Sequence, residues 1–285
     1  MKKFVKIILC YLIFASFFGC SKSADDYFLE GNLLRDSLKF EEAIECYDKA
    51  IQIKPDFWEA RRNKGYSLDD MGKKEEAIVC YDSVISIKPD LVEIWVNKAA
   101  ALTQLGRTPE ALNCYIKAIE LKPGDLELWN NKGATLAALD RREQAITCYD
   151  SVLKIKPDHY EALNNKGIAL SYIGKREEAI KCFDKAVEIK PDYYLALCNK
   201  GVALFVLTKN DEALICFEKA LGIKPDYPVA WYAKACVYSN LREKTKMLGS
   251  LQKAFNLDKR YKDKAKIDQV FNYYFNDDDF KKLTN

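Results

Sequence analysis

Lys-Pro recurs at Lys54-Pro55, Lys88-Pro89, Lys122-Pro123, Lys156-Pro157, Lys190-Pro191 and Lys224-Pro225, and every interval is 34 residues. The same interval links Ala43, Ala77, Ala111, Ala145, Ala179 and Ala213, and it links the aromatics Tyr47, Tyr81, Tyr115, Tyr149, Phe183 and Phe217. A fixed period of this length restricts the chain to an array of like supersecondary units. One such unit cannot bury both of its apolar faces, so the units must stack.

These landmarks resemble the tetratricopeptide repeat, whose pattern has a small residue at position 8, Ala at 20, an aromatic at 24, Ala at 27 and Pro at 32. With Pro55 at position 32 the units are 24–57, 58–91, 92–125, 126–159, 160–193, 194–227 and a divergent seventh, 228–261. The resemblance implies an all-α fold, a right-handed α-solenoid superhelix of about seven helix pairs with a concave groove, closed by a C-terminal cap in 262–285. The small residues Gly31, Gly65, Ala99, Gly133, Gly167, Gly201 and Ala235 let the two helices of a pair approach closely. Gly72, Gly106 and Gly174 fall where the first helix must end in a left-handed residue, with Asp140 and Thr208 as less comfortable replacements. Thr108-Pro109 reads as the start of a second helix, and each Lys-Pro ends one. The seventh unit has Met247 for Ala and Lys259 for Pro. Beyond it, Ile267, Val270, Phe271, Tyr273, Tyr274, Phe275, Phe280 and Leu283 supply enough apolar surface to cover the last pair, or else to form a separate binding element.

The first nineteen residues follow a different plan. A basic start with Lys2, Lys3 and Lys6 leads into an uncharged run, 7–18, too short to span a bilayer and of the length of a signal-peptide core. Phe17-Phe18-Gly19-Cys20 resembles the lipobox of bacterial lipoproteins, with Phe17 where Leu is usual, as in the relaxed lipoboxes of spirochaetes. The expectation is a signal peptide over 1–19, a lipid on Cys20 and a short tether over 20–26, placing the protein in the bacterial envelope, on the outer-membrane or periplasmic side. A soluble secreted or periplasmic protein and an uncleaved anchor are the alternatives. Removing the three leading lysines takes the formal charge from +3 to near zero, and acids and bases are interspersed, which argues against nucleic acid as a partner.

Catalytic chemistry has little to build on. The one histidine, His159, falls in a turn between units, no phosphate-cradling glycine loop is present, and the paired glutamates open second helices, where they complement the dipole. No cofactor and no metal are expected, and the chain is read as a non-enzyme. Cys46, Cys80, Cys114, Cys148, Cys182 and Cys216 share one repeat position. Stacked helices lie roughly 8–10 Å apart, beyond disulfide reach, so these are read as small buried apolar residues. Unpaired thiols sit awkwardly with export, a conflict that burial blunts.

In this family positions 2, 5, 6, 9, 12 and 13 of each unit tend to face the groove. Position 6 reads Asn63, Asn97, Asn131, Asn165 and Asn199, joined at position 5 by Asn130 and Asn164. A carboxamide donates and accepts at once, so it can hold the backbone of an extended peptide. The pattern resembles the asparagine ladder of the peptide-binding repeats of O-linked N-acetylglucosamine transferase; the alternative is an Asn-Lys-Gly consensus that bonds within the fold. Toward the C-terminus the same face turns apolar, with Leu195, Cys198, Val202, Phe205, Val206, Val229 and Tyr232. Phe205 and Tyr232 are candidate anchor contacts there, unless the chain's own tail covers them. The carboxylate clamp for heat-shock chaperone tails is assembled nowhere, and position 2 carries Glu59, Glu93, Glu127 and Glu161.

The resemblance implies a non-catalytic scaffold or adaptor that binds a protein or peptide in the groove, held to a membrane by its N-terminal lipid, as in bacterial repeat lipoproteins that assist outer-membrane protein insertion or pilus secretin assembly. The alternative is a substrate-docking subunit for a transferase or protease supplied in trans.

Overall fold

The computed structural model describes residues 22–284; the expected signal segment and Cys20 lie outside them. All regular structure among the described residues is helical. The chain divides into two compact units at Leu139 and Asp140. The first holds α1 (Ala24–Asp36), α2 (Phe40–Ile53), α3 (Trp58–Asp70), α4 (Lys74–Ile87), α5 (Val92–Gln104), α6 (Thr108–Leu121) and α7 (Leu126–Ala138). The second holds α8 (Arg142–Ile155), α9 (Tyr160–Tyr172), α10 (Arg176–Ile189), α11 (Tyr194–Val206), α12 (Asn210–Ile223), α13 (Pro228–Asn240) and α14 (Lys244–Leu257). It ends in α15 (Arg260–Ile267), a 3-10 helix (Gln269–Tyr274) and α16 (Asp278–Thr284). Within each unit every helix packs on the next, and first helices also touch, α1 on α3, α9 on α11 and α11 on α13. The first helices therefore make an inner layer in each unit.

The turn inside each pair closes on one left-handed residue. Gly72, Gly106 and Gly174 supply it at φ of 78°, 73° and 86°, and Leu38, Asp140, Thr208 and Arg242 adopt it at 60–62°. The N–H three residues past the first helix reaches back to its last turn at Lys39, Lys73, Arg107, Lys175, Lys209 and Glu243, as Lys73 does to the Leu68 carbonyl at 2.9 Å. Leu38 and Arg242 carry no glycine signal and extend the motif beyond the positions marked in the sequence.

Close approach within a pair has a specific cause. A Cβ on Gly31, Gly65, Gly167 or Gly201 would lie 2.6–2.8 Å from a ring atom of Tyr47, Tyr81, Phe183 or Phe217, so the ring occupies the missing side chain's place. In the third pair Ala99 takes the glycine's place, and its ring, Tyr115, is 7% exposed where Tyr47 and Tyr81 are 0%. Between pairs, Lys64 binds Asp48 at 2.5 Å, and Lys98–Asp82, Lys166–Asp150, Lys200–Asp184 and Lys234–Glu218 repeat the link. These half-exposed pairs set register more than stability. They give the lysine of Asn-Lys-Gly its structural role.

The tail caps the last pair. Phe271, Tyr274 and Phe280 join Tyr232, Met247, Leu251 and Phe255 in one apolar cluster. At the other end Ser23 and Asp26 form a reciprocal capping box, and Lys22 binds Glu30 at 2.7 Å. Residues 24–26, which the expected tether and the expected first repeat shared, are the first turn of α1.

Candidate peptide-binding surface

On the inner layer of the first unit the amides of position 6 have different fates. Asn63 is buried, and its Nδ2 donates to Asn32 Oδ1 at 2.7 Å, an oxygen that also accepts from the Tyr47 hydroxyl at 2.9 Å. The Arg62 Nε donates to Asn63 Oδ1 at 3.1 Å, so this amide is engaged inside the fold. Asn97 is half-buried and borders two clefts. One, of about 520 Å³, is lined by Val92, Glu93, Val96, Lys122 and Asn131. The other, of about 510 Å³, lies at the C-terminal ends of α1 and α3. Asn130 and Asn131 are half-buried on α7, and only Asn131 lines the first of these clefts. Arg62 stands 5.4 Å from the centre of the Trp58 ring and 5.8 Å from that of Tyr66, and pairs with Glu93 at 3.1 Å.

The second unit joins three amides in series. Asn199 Nδ2 donates to Asn164 Oδ1 at 2.9 Å, and Asn164 Nδ2 donates to Asn165 Oδ1 at 3.3 Å. Asn164 is buried, while Asn165 and Asn199 are half-buried. Asn199 edges a cleft of about 540 Å³ lined by Ile168, Tyr172, Arg176, Val202 and Val206. Val202 and Val206 are 41% and 49% exposed, large apolar side chains facing solvent beside an amide. Phe205 is half-buried and packs between two core clusters instead of lining the cleft.

Tyr232 is buried beneath the tail. Its hydroxyl donates to Asp268 Oδ2 at 2.7 Å and its ring meets Tyr261 and Phe271. Ser239 Oγ donates to the Val270 carbonyl at 2.6 Å. The tail therefore covers the inner face of α13, and Tyr232 keeps no surface for a ligand. Cys198 and Cys236 are buried as well, and burial pushes both thiols up to about 12. Sequence reasoning did not single out Tyr172, Asp69 or Asp70 as lining residues. All three occupy positions 12 and 13, whose inward tendency was the available signal.

His159 caps α9, its Nδ1 accepting from the Ala162 N–H at 3.3 Å. Among the described residues no three His, Cys, Asp or Glu gather as a metal site, and no helix is long and apolar enough to cross a membrane.

Family models described as "Tetratricopeptide repeat" match residues 92–125 and 160–193, and a second such model matches 60–91, 126–159, 194–227 and 228–261. A model described as "TPR repeat" matches 31–72. Comparison with curated proteins found no significant match. Among solved structures the chain is similar to a tetratricopeptide repeat protein from Parabacteroides merdae, with a TM-score of 0.72 and 20% identity over 93% of this chain and 99% of that one. It is similar to YrrB, described as a TPR protein with an unusual peptide-binding site, with a TM-score of 0.54 and 22% identity over 67% of this chain and 98% of that one. It is also similar to PilF of Pseudomonas aeruginosa, with a TM-score of 0.61 and 14% identity over 76% of this chain and 96% of that one. At these identities the likeness is one of fold.

Proposed function

Because the chain belongs to the tetratricopeptide-repeat family, whose members are protein-binding scaffolds and typically non-catalytic, we propose that it holds an extended peptide, or a segment of a partner protein, against its inner helices. A lipid on Cys20 tethers it to a bacterial envelope membrane. The observation that carries the binding role is the cleft on α9 and α11, where Val202 and Val206 stand exposed next to the Asn199 amide. Apolar side chains displayed beside a donor and acceptor suit a ligand that brings both a side-chain anchor and a peptide backbone. Asn97 and Asn131 offer the same backbone chemistry in the first unit, and Asn165 and Asn199 in the second. The peptide-binding site for which YrrB is described supports the reading.

Asn63, Asn164 and Tyr232 act in this proposal through the fold, holding the inner helices, instead of touching the ligand. Three residues separate Cys20 from the first helical residue, Ala24, a reach of about 14 Å at most. The first helix pair then works close to the lipid headgroups.

Recovery of a partner from envelope extract by wild-type protein, and its loss with the Val202→Asp/Val206→Asp variant, tests the groove. Both valines are exposed, so the fold stays intact, and undiminished recovery refutes the site. Metabolic labelling with palmitate tests the tether: label is expected in wild type and absent in Cys20→Ala.

A further inference from the structure

Tyr47 and Tyr81 hold the same repeat position, and only one of them has its hydroxyl satisfied. Tyr47 donates to Asn32 at 2.9 Å. In the next repeat Tyr66 stands where Asn32 stood, and the Tyr81 hydroxyl, in a residue of 0% exposure, has no hydrogen-bond partner. A buried hydroxyl left unpaired weakens the fold. Tyr81 lines the cleft formed by Arg35, Asp36, Tyr66, Asp69 and Asp70. Burial, together with Asp69 and Asp70, holds its phenol protonated, with its oxygen lone pairs open to a donor.

The acids around it are placed against helix stability. Asp36 ends α1, and Asp69 and Asp70 end α3, where the dipole disfavours negative charge. The same two positions read Thr103 and Gln104, Ala137 and Ala138, Ser171 and Tyr172, Phe205 and Val206, and Ser239 and Asn240 in the other repeats, so the architecture does not require acids there. Lys74 binds Asp69 at 2.8 Å, Arg35 approaches Asp36 only to 3.9 Å, and Asp70 is exposed with no cation paired to it. No three ligating groups converge among the described residues, which disfavours a metal as the missing charge.

We propose that this cleft receives the cationic side chain of a basic peptide, arginine in preference to lysine. Guanidinium N–H groups donate to the Asp36 and Asp70 carboxylates and to the Tyr81 oxygen, with the guanidinium plane against the Tyr66 ring. The inference rests on the groove reading above and adds the charge of the ligand. Arg35 is the resident competitor for the acids, and Arg62, 5.8 Å from the centre of the Tyr66 ring, is the resident competitor for that ring.

The test is fluorescence anisotropy of a labelled hexa-arginine peptide on the full chain at low salt, with a hexa-glutamate peptide as reference. Wild type is expected to bind the arginine peptide saturably and the glutamate peptide not at all. Asp36→Asn/Asp70→Asn should weaken binding about tenfold, in line with loss of charge-assisted hydrogen bonds. Tyr81→Phe should weaken it about threefold while raising the melting temperature, since it removes an unpaired hydroxyl. Arg35→Gln should strengthen binding. Glu41→Gln/Glu45→Gln, which removes the same charge from exposed sites on α2, should change little. No saturable binding, or equal weakening by the α2 variant, overturns the inference. If that occurs while the groove still captures a partner, only the charge assignment fails; if Val202→Asp/Val206→Asp recovers the partner undiminished, the groove reading fails independently.

Discussion

The inner helices of the first unit line their clefts with Asp69, Asp70, Glu93 and Arg35, whereas those of the second line theirs with Tyr172, Val202 and Val206. Both are built on one buried plan: a glycine under a ring, an alanine facing the partner helix, and a lysine bridging to the preceding pair. Positions 8, 20 and 24 are held by packing, so their chemistry hardly varies. Away from the sealed end, positions such as Glu93, Asp70, Val202 and Val206 meet solvent and are freer to diverge. A repeat array can thus keep its skeleton uniform while its inner surface changes from charged to apolar. The second unit differs once more at its end, where the tail seals α13.

That seal should give the largest effect. Deleting 262–285 removes Phe271, Tyr274 and Phe280 from the cluster around Tyr232 and Leu251, and should cost on the order of 5 kcal/mol in the second unit. Hydrogen exchange should show protection lost in α13 and α14 and kept in α3 to α5. The common skeleton is probed by Gly65→Val and Gly201→Val, each expected to cost about 2–3 kcal/mol in urea denaturation by forcing the Tyr81 or Phe217 ring aside. A large difference between the two would break the idea of a shared plan. Asn199→Ala leaves the buried Asn164 oxygen without its donor and should cost about 1–2 kcal/mol, against less for the half-buried Asn97→Ala. Smaller still, Leu38→Gly and Thr208→Gly relieve left-handed strain and should each stabilise by about 1 kcal/mol.

A pH titration adds a second contrast. Cys198 and Cys236 are raised by burial from 9.0 to about 12, so unfolding exposes thiols that ionise more readily than in the fold. The stability this contributes is whole below pH 9 and is lost as pH rises toward 12. Cys198→Ala/Cys236→Ala should flatten that alkaline slope in the melting temperature of the second unit.

Much of the skeleton was legible because it repeats. Lys-Pro marked the helix ends, and the small residue at position 8 announced close approach, although the ring that fills its place became visible only with Tyr47 and Tyr81 in position. The cap was legible from the apolar residues of 262–285, but its path over Tyr232 was not, since the tail lies outside the period. Leu38 and Arg242 carried no sign of their left-handed turns because no glycine flags them. The Ser23–Asp26 box that starts α1 falls where the expected tether and first repeat overlap, and its Ser-x-x-Asp spacing was the available signal. The asparagines were the hardest. Position 6 faces inward in every repeat, yet Asn63 is drawn to Asn32 at position 9 of the preceding repeat, and Asn199 to Asn164 at position 5. Which neighbour holds an amide depends on side chains in the adjacent repeat, and a one-repeat consensus cannot encode it.

The central claim is that the inner layer, and not the outer, is the working surface. It is tested most directly by placing a photo-cross-linking residue at Val202 on α11, or at the exposed Ile215 on α12, in the full chain in cells of its source. The account predicts one discrete partner captured from Val202 and none from Ile215. Capture from Ile215 alone, or equal capture from both, would contradict it.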